Sequence, residues 1–245
     1  MFYCYNFNKV RFNLGHAFFV MNNERRIHMA VISISREFGS DGDLISKKVA
    51  QTLGYSLINK ESIEKVLVQY GLVDFSSVYS SDQSLWDRFD KDRTEIVRML
   101  NSTIQAFAKL GNNVIVGRGG FIVLNGFDNV LNVCITAPFD KRVSNVMKTQ
   151  NISVREEAEE LVRQSDTIRK SFLQSYYHVK QTESIGFNMT IDSNMIPVDV
   201  ASRWIIEAAE LLSKKEIDPK AHTSSIEVDP VLAVAVANVA AAIKT

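Results

Sequence analysis

Val31-Ile-Ser-Ile-Ser-Arg-Glu-Phe-Gly-Ser-Asp-Gly-Asp43 is the stretch that decides the fold. Val31 to Ile34 is a short β-branched run, suited to a strand. It ends in a turn containing Gly39 and Gly42, beyond which Ile45, Val49 and Leu53 recur at helical spacing while Lys47 and Lys48 face outward. A strand, a glycine turn and a helix start together present backbone N–H groups to an anion such as phosphate. The full mononucleotide signature, GxxxxGK[ST], adds a lysine for the β and γ phosphates and a hydroxyl for magnesium. This chain has neither in the expected places, and Asp41 and Asp43 stand inside the loop. A carboxylate aimed into the cradle would repel phosphate, whereas one aimed outward, or capping the helix, would not. Taken alone, the loop reads equally as a phosphate cradle or as a plain turn and cap.

Working outward, further short apolar strands are expected at Tyr55–Ile58, Val114–Val116, Leu131–Thr136 and Phe187–Ile191. Helical patterns separate them: one through Ile63, Val66, Leu67 and Tyr70, and a longer one at about 94–110. Another begins at Pro138, a charged one spans 154–171 with a second from 172 to 183, and the last runs from 198 to 213. Strands this short, alternating with helices, predict an α/β sandwich with a five-stranded, mostly parallel sheet covered on both faces. Ligands in such sheets bind beyond the carboxyl ends of the strands, where Arg36, Gly39 to Asp43, Arg118 and Asp192 fall.

The rest of the chain limits what that crevice serves. Its 245 residues are 46% hydrophobic and 23% charged, enough for a substantial core. Lysine plus arginine and aspartate plus glutamate number 28 each, so no broad nucleic-acid footprint is expected. Cys4 and Cys134 are the only cysteines, and the four histidines lack metal-ligand spacing. Neither a disulfide framework nor a protein metal site is expected, and a reducing cytoplasm is the natural compartment. Residues 1–28 are rich in aromatics and asparagine without a membrane-spanning run, and read as an extension or a start-site artefact before a domain at 29–213. A polar connector over 214–229 leads to an apolar run, Pro230 to Ile243, that suits packing on the domain or on a partner chain, including a second copy.

Two further segments carry candidate chemistry. In Gly117-Arg118-Gly119-Gly120, after the third strand, an arginine between glycines suits a bidentate phosphate contact or pairing with a neighbouring carboxylate. On the charged helix, a wheel sets Leu161, Val162, Ser165 and Ile168 on one side and Arg163, Asp166 and Lys170 opposite, with Arg169 near the boundary. Arg163 with Asp166, and Asp166 with Lys170, have the spacing of surface ion pairs. Between 140 and 170 there are seven basic and six acidic side chains, a mixed surface that fits either a mobile lid or a solvated helix hairpin.

Taken in order, Ile32-Ser-Ile-Ser-Arg-Glu-Phe-Gly-Ser40, Val114-Ile-Val-Gly-Arg-Gly119, and Ile135-Thr-Ala-Pro138 with Arg142 make a recognisable series. It continues with Glu157-Ala-Glu-Glu-Leu-Val-Arg163, Asp166, Arg169 and Met189-Thr-Ile-Asp192, and it resembles the cytidylate kinase-like family from Met29 to Leu212. The resemblance implies a P-loop kinase fold, ATP with magnesium as donor, and CMP or dCMP as acceptor. It implies nucleotide or phosphate binding by Arg36, Gly39, Ser40, Gly42, Arg118 and Arg142, and a lid over 140–183 in which Arg163, Asp166 and Arg169 are catalytic. Residues 60–93 would form the acceptor side. The family's divergent branch usually reads Gly-Ser-Gly-Gly-Arg at the loop, so Asp41 and Asp43 depart from it, and Gly119 replaces an aspartate of the better-known cytidylate kinases. A kinase-fold protein that senses nucleotide or binds a partner without turnover is the other expectation.

Overall fold

The computed structural model describes residues 30–70, 90–179 and 186–243. In chain order its elements are β1 (Val31–Arg36), α1 (Gly42–Leu53), β2 (Ser56–Ile58), α2 (Lys60–Gln69), α3 (Asp90–Leu110) and β3 (Asn113–Val116). There follow α4 (Gly120–Val123), β4 (Val130–Thr136), α5 (Phe139–Gln150), α6 (Arg155–Tyr177), β5 (Met189–Asp192), α7 (Val198–Leu212) and α8 (Pro230–Ile243). The strands form one sheet in the order β2-β3-β1-β4-β5, and every pairing is parallel. The chain runs to one side of β1 for β2 and β3, then to the other for β4 and β5. That reversal opens a crevice at the carboxyl end of β1.

Alternation along β1 builds the two faces. Ile32 and Ile34, with Val114, Leu131, Val133 and Ile135, pack on Ile45 and Val49 of α1 and on Ala201 and Ile205 of α7. Val31, Ile58, Ile115 and Val130 face Ile63 and Leu67 of α2, Leu100, Ile104 and Phe107 of α3, and Leu232 and Val236 of α8. Near the carboxyl ends the second face changes character: its alternating positions are the buried Ser33, Ser35 and Cys134. Small side chains there leave room that branched ones would fill.

The helices α5 and α6 form a hairpin with its own small core of Val143, Val146, Ala158 and Val162, into which Phe38 and Phe139 pack. Phe38 belongs to the turn after β1, so the hairpin is fastened to that turn. Two helices were expected over 154–183, yet α6 is continuous for 23 residues. No glycine or proline interrupts it, and Phe172 and Leu173 extend the inward stripe of Ala158 and Val162. It stops at His178, whose φ is 55°. The stripe also corrects the wheel: Asp166 lies with Val162 and Arg169 toward the protein, and Ile168 is exposed.

The connector after α7 is more ordered than its composition suggests. Asn129 Nδ2 donates to Thr223 Oγ1 at 2.8 Å while Thr223 N–H donates to Asn129 Oδ1 at 2.9 Å. Lys109 Nζ donates to the Ile226 carbonyl at 2.6 Å. These bonds carry the chain across to α8, which packs on its own domain through Leu232, Ala235, Val236 and Val239. Among the described residues, no helix is long and apolar enough to cross a membrane. The expected extension 1–28 and most of the expected acceptor side, 60–93, lie outside the described residues.

Candidate functional site

The turn between β1 and α1 is held in shape by its own groups. Ser40 is fully buried, and its hydroxyl donates to the Glu37 carbonyl at 2.8 Å and toward the Ile135 carbonyl at 3.3 Å. Gly39 has φ +82°, and a Cβ there would lie 2.6 Å from the Arg142 carbonyl oxygen, so only glycine fits. Asp41, at φ 59°, directs its carboxylate to Asn145, whose Nδ2 donates to it at 2.9 Å and to the Gly39 carbonyl at 2.8 Å. Asp43 accepts from Arg36 Nε at 2.9 Å. Neither aspartate caps the helix: Asp41 occupies the N-cap position with no side-chain cap bond. The first N–H groups of α1 have no carbonyl behind them, as at any helix start, and the N-cap side chain makes no bond to them.

The arginines divide into three situations. Arg142 is buried, and Nη1 and Nη2 donate to Asp166 Oδ1 and Oδ2 at 2.9 Å each. Its Nε donates to the Ala137 carbonyl at 3.2 Å and lies 3.7 Å from Glu37 Oε2, which itself accepts from Ala137 N–H at 3.0 Å. Arg142 and Asp166 therefore lock α6, α5 and the turn together, and their charges are engaged with one another. Arg163 is exposed; its guanidinium lies over the Phe139 ring at 4.4 Å and reaches Glu159 at only 3.8 Å.

Arg169 is in the third situation. It enters the crevice between the carboxyl ends of β1 and β4, where Nη2 donates to Ser35 Oγ at 2.9 Å. Among the described residues, Nη1 is buried without a hydrogen-bond partner. Cys134, paired in register with Ser35, lies close to the same guanidinium. Burial pushes the Cys134 thiol above its usual pKa, and Arg169 offsets part of that rise. A buried guanidinium with an unused donor is costly, by about 1–3 kcal/mol or more, until an acceptor arrives.

Arg118 stands at the end of β3 with φ +56°, between Gly117 at +73° and Gly119 at +75°. Three successive left-handed residues are rare, and a non-glycine among them is strained; such strain gathers at sites where a backbone must be aimed. Tyr177, at the end of α6, lies against Gly119 and donates from its hydroxyl to Asn101 at 2.7 Å. The crevice thus brings together the turn, Arg36, Arg118 and Arg169; Arg163 is turned to solvent, and Arg142 with Asp166 stands behind as a brace. Glu37, Asn145 and Tyr177 also belong to the site and were not among the residues expected individually. Glu37 was visible inside the Ser-Arg-Glu-Phe motif, whereas nothing local marks Asn145 or Tyr177, whose partners are 106 and 76 residues away.

Among the described residues no three of His, Cys, Asp and Glu converge as a metal site. Within the turn, Ser40 donates to a carbonyl and Asp43 accepts from Arg36, so these two side chains do not fit a magnesium site.

A parallel 2-3-1-4-5 sheet, a glycine turn after β1 and a helical hairpin carrying arginines over the carboxyl edge define a P-loop kinase-like protein. Residues 31–195 match the Cytidylate kinase-like family, and the chain belongs to it. It is 26% identical over 141 residues to a cytidylate kinase of Ignicoccus hospitalis, covering 56% of this chain and 75% of that one. It is 22% identical over 180 residues to a cytidylate kinase of Pyrobaculum islandicum, covering 71% and 90%. A crystal structure of an uncharacterized protein from Eubacterium ventriosum superposes with a TM-score of 0.58 at 24% identity, covering 74% of this chain and 98% of that one. That likeness bears on the fold.

Proposed function

We propose that the protein is a cytoplasmic kinase that transfers the γ-phosphoryl group of ATP to a nucleoside monophosphate, with CMP or dCMP as acceptor. The observation that carries this reading is the buried Arg169 donor, which has no acceptor among the described residues and enters a crevice beside a start of α1 that has no side-chain cap. Phosphoryl transfer asks little covalent chemistry of the protein; it needs in-line positioning and positive charge around the equatorial oxygens. In this reading the turn binds donor phosphates through backbone N–H groups, and Arg36 adds charge beside them. Arg169 takes charge developing on the transferred group, Arg118 meets the acceptor phosphate, and Arg163 closes from the rim. Arg142 and Asp166 set the hairpin in place. Membership of the cytidylate kinase-like family and the names of two relatives support the acceptor class.

The missing lysine and hydroxyl favour a second reading, a kinase fold that binds nucleotide and reports it to a partner without turnover. A coupled ADP-release assay with magnesium and CMP, dCMP, UMP, AMP or GMP separates the two. Turnover highest on CMP or dCMP is expected. ATP binding without turnover on any acceptor would replace the first reading by the second.

A further inference from the structure

In GxxxxGK[ST] the first glycine and the lysine are six positions apart. Arg36 and Gly42 are also six apart, with the cation and the glycine exchanged. Steric exclusion makes the exchange reciprocal. A Cβ built on Gly42 would lie 2.4 Å from Arg36 Cβ and 2.8 Å from Arg36 Cγ, closer than non-bonded carbons approach. The volume over the start of α1 therefore admits a side chain from position 36 or from position 42, not from both. Arg36 uses it: the stem crosses Gly42, Nε donates to Asp43 Oδ1 at 2.9 Å, and Nη1 ends 2.7 Å from where a Cβ of Gly117 would be. Two glycines clear its path, one at the helix start and one at the end of β3. The guanidinium consequently bridges the donor-phosphate turn and the turn that carries Arg118.

Building on the phosphotransfer reading above, we propose that Arg36 is the phosphate-binding cation of this loop, delivered across Gly42 into the space a lysine at 42 would take. Asp43 is its positioning residue. Holding Nε, Asp43 fixes the plane of the fork and leaves both Nη groups to meet phosphate oxygens, a geometry a lysine cannot offer. The Asp43 carboxylate is thus directed at the arginine. The pair is partly exposed, with side-chain exposures of 35% and 70%, so its role is orientation more than stability.

The test is ATP titration by calorimetry on the full chain, with thermal melting as the control for folding. Arg36→Met should weaken ATP at least about tenfold, and Arg36→Lys should retain part of the affinity, as charge-assisted contacts predict. Gly42→Lys alone should lower the melting temperature, because the two side chains collide. Arg36→Gly combined with Gly42→Lys should melt near the wild type and bind ATP within a few-fold of it. Asp43→Ala should weaken ATP and Asp43→Glu should restore part of the loss. Wild-type protein that binds no ATP would sink the phosphotransfer reading and this inference with it. Wild-type protein that binds ATP while Arg36→Met binds it equally would overturn the inference alone. So would a folded double variant that binds no better than Arg36→Met.

Discussion

Arg142 and Asp166 meet in a two-point pair, Nη1 to Oδ1 and Nη2 to Oδ2, each at 2.9 Å, that ties the middle of α6 to the first turn of α5. The arginine side chain is 7% exposed and the carboxylate 30%, so the pair is shielded enough that each charge depends on the other. Removing one member leaves its partner charged and poorly solvated, which costs more than the pair contributes. Asp166→Ala should therefore lower unfolding free energy by about 2–4 kcal/mol in urea titrations. It should also loosen the hairpin, seen as faster amide exchange over residues 155–177. A change under about 0.5 kcal/mol, the range of ordinary surface substitutions, would place the pair among surface pairs instead.

Arg169 predicts the opposite balance. Its Nη1 lacks an acceptor among the described residues, so the side chain is a burden to the folded protein when no ligand is bound. Arg169→Met should leave the urea midpoint unchanged or raised while cutting turnover by about 10²–10³-fold, the scale of losing one charge-stabilising donor. Lost stability with turnover intact would remove Arg169 from the proposed chemistry.

The contact of Tyr177 with Gly119 gives a third test. A Cβ at 119 would lie 2.6 Å from the tyrosine ring and carry φ +75°. Gly119→Ala should cost about 1–3 kcal/mol by overpacking and backbone strain. Tyr177→Ala in the same chain should recover the overpacking part, so a double-mutant cycle should show coupling above about 0.5 kcal/mol. Additive losses would mean that strain alone acts at 119. The same crowding bears on the acceptor: an aspartate at 119 has no room beside this ring.

The strands and layers were legible because the pattern is local: β-branched runs near Val31, Val114 and Leu131, each bounded by glycine or proline, alternate with helical spacing. Arg36 and Arg118 were legible because position after a strand is enough to place them at the carboxyl edge. Asp166 was misplaced because a helical wheel ranks faces by hydropathy. This helix turns a charged pair inward with Val162, and only the distant Arg142 makes that tolerable. The effect of Asp41 and Asp43 on phosphate was open because sequence does not give direction. Their partners, Asn145 and Arg36, lie across the turn in space, and those two contacts change what the carboxylates do. The order of the 214–229 connector was hidden for the same reason, since Thr223 is fixed by Asn129, 94 residues earlier.

The two faces of α8 should respond differently to truncation. Leu232 is 2% exposed against α2 and α3, whereas Val234 is 61% exposed. Leu232→Ala should destabilise by about 2–4 kcal/mol through lost burial and the cavity left behind. Val234→Ala should fall within about 0.5 kcal/mol of the wild type. Equal, small effects in chemical denaturation would mean that α8 is not part of the cooperative core.

Stability should also respond to alkaline pH through Cys134. Burial holds its thiol above the usual pKa, and the neighbouring Arg169 guanidinium pulls it only part of the way back. In the unfolded chain the thiol titrates near the ordinary value of about 8.5. Below that pH both states keep the proton and the group does not affect the balance. Above it the unfolded chain releases a proton that the folded protein retains, so stability falls as pH rises, by at most about 1.4 kcal/mol per unit. Tyr55, also raised by burial, acts with the same sign at higher pH, starting near 10. Urea midpoints measured from pH 7.5 to 9.5 should therefore decline more steeply for the wild type than for Cys134→Ala, whatever their absolute values. Parallel declines would show that the thiol ionises alike in both states, and that Arg169 fully offsets the effect of burial.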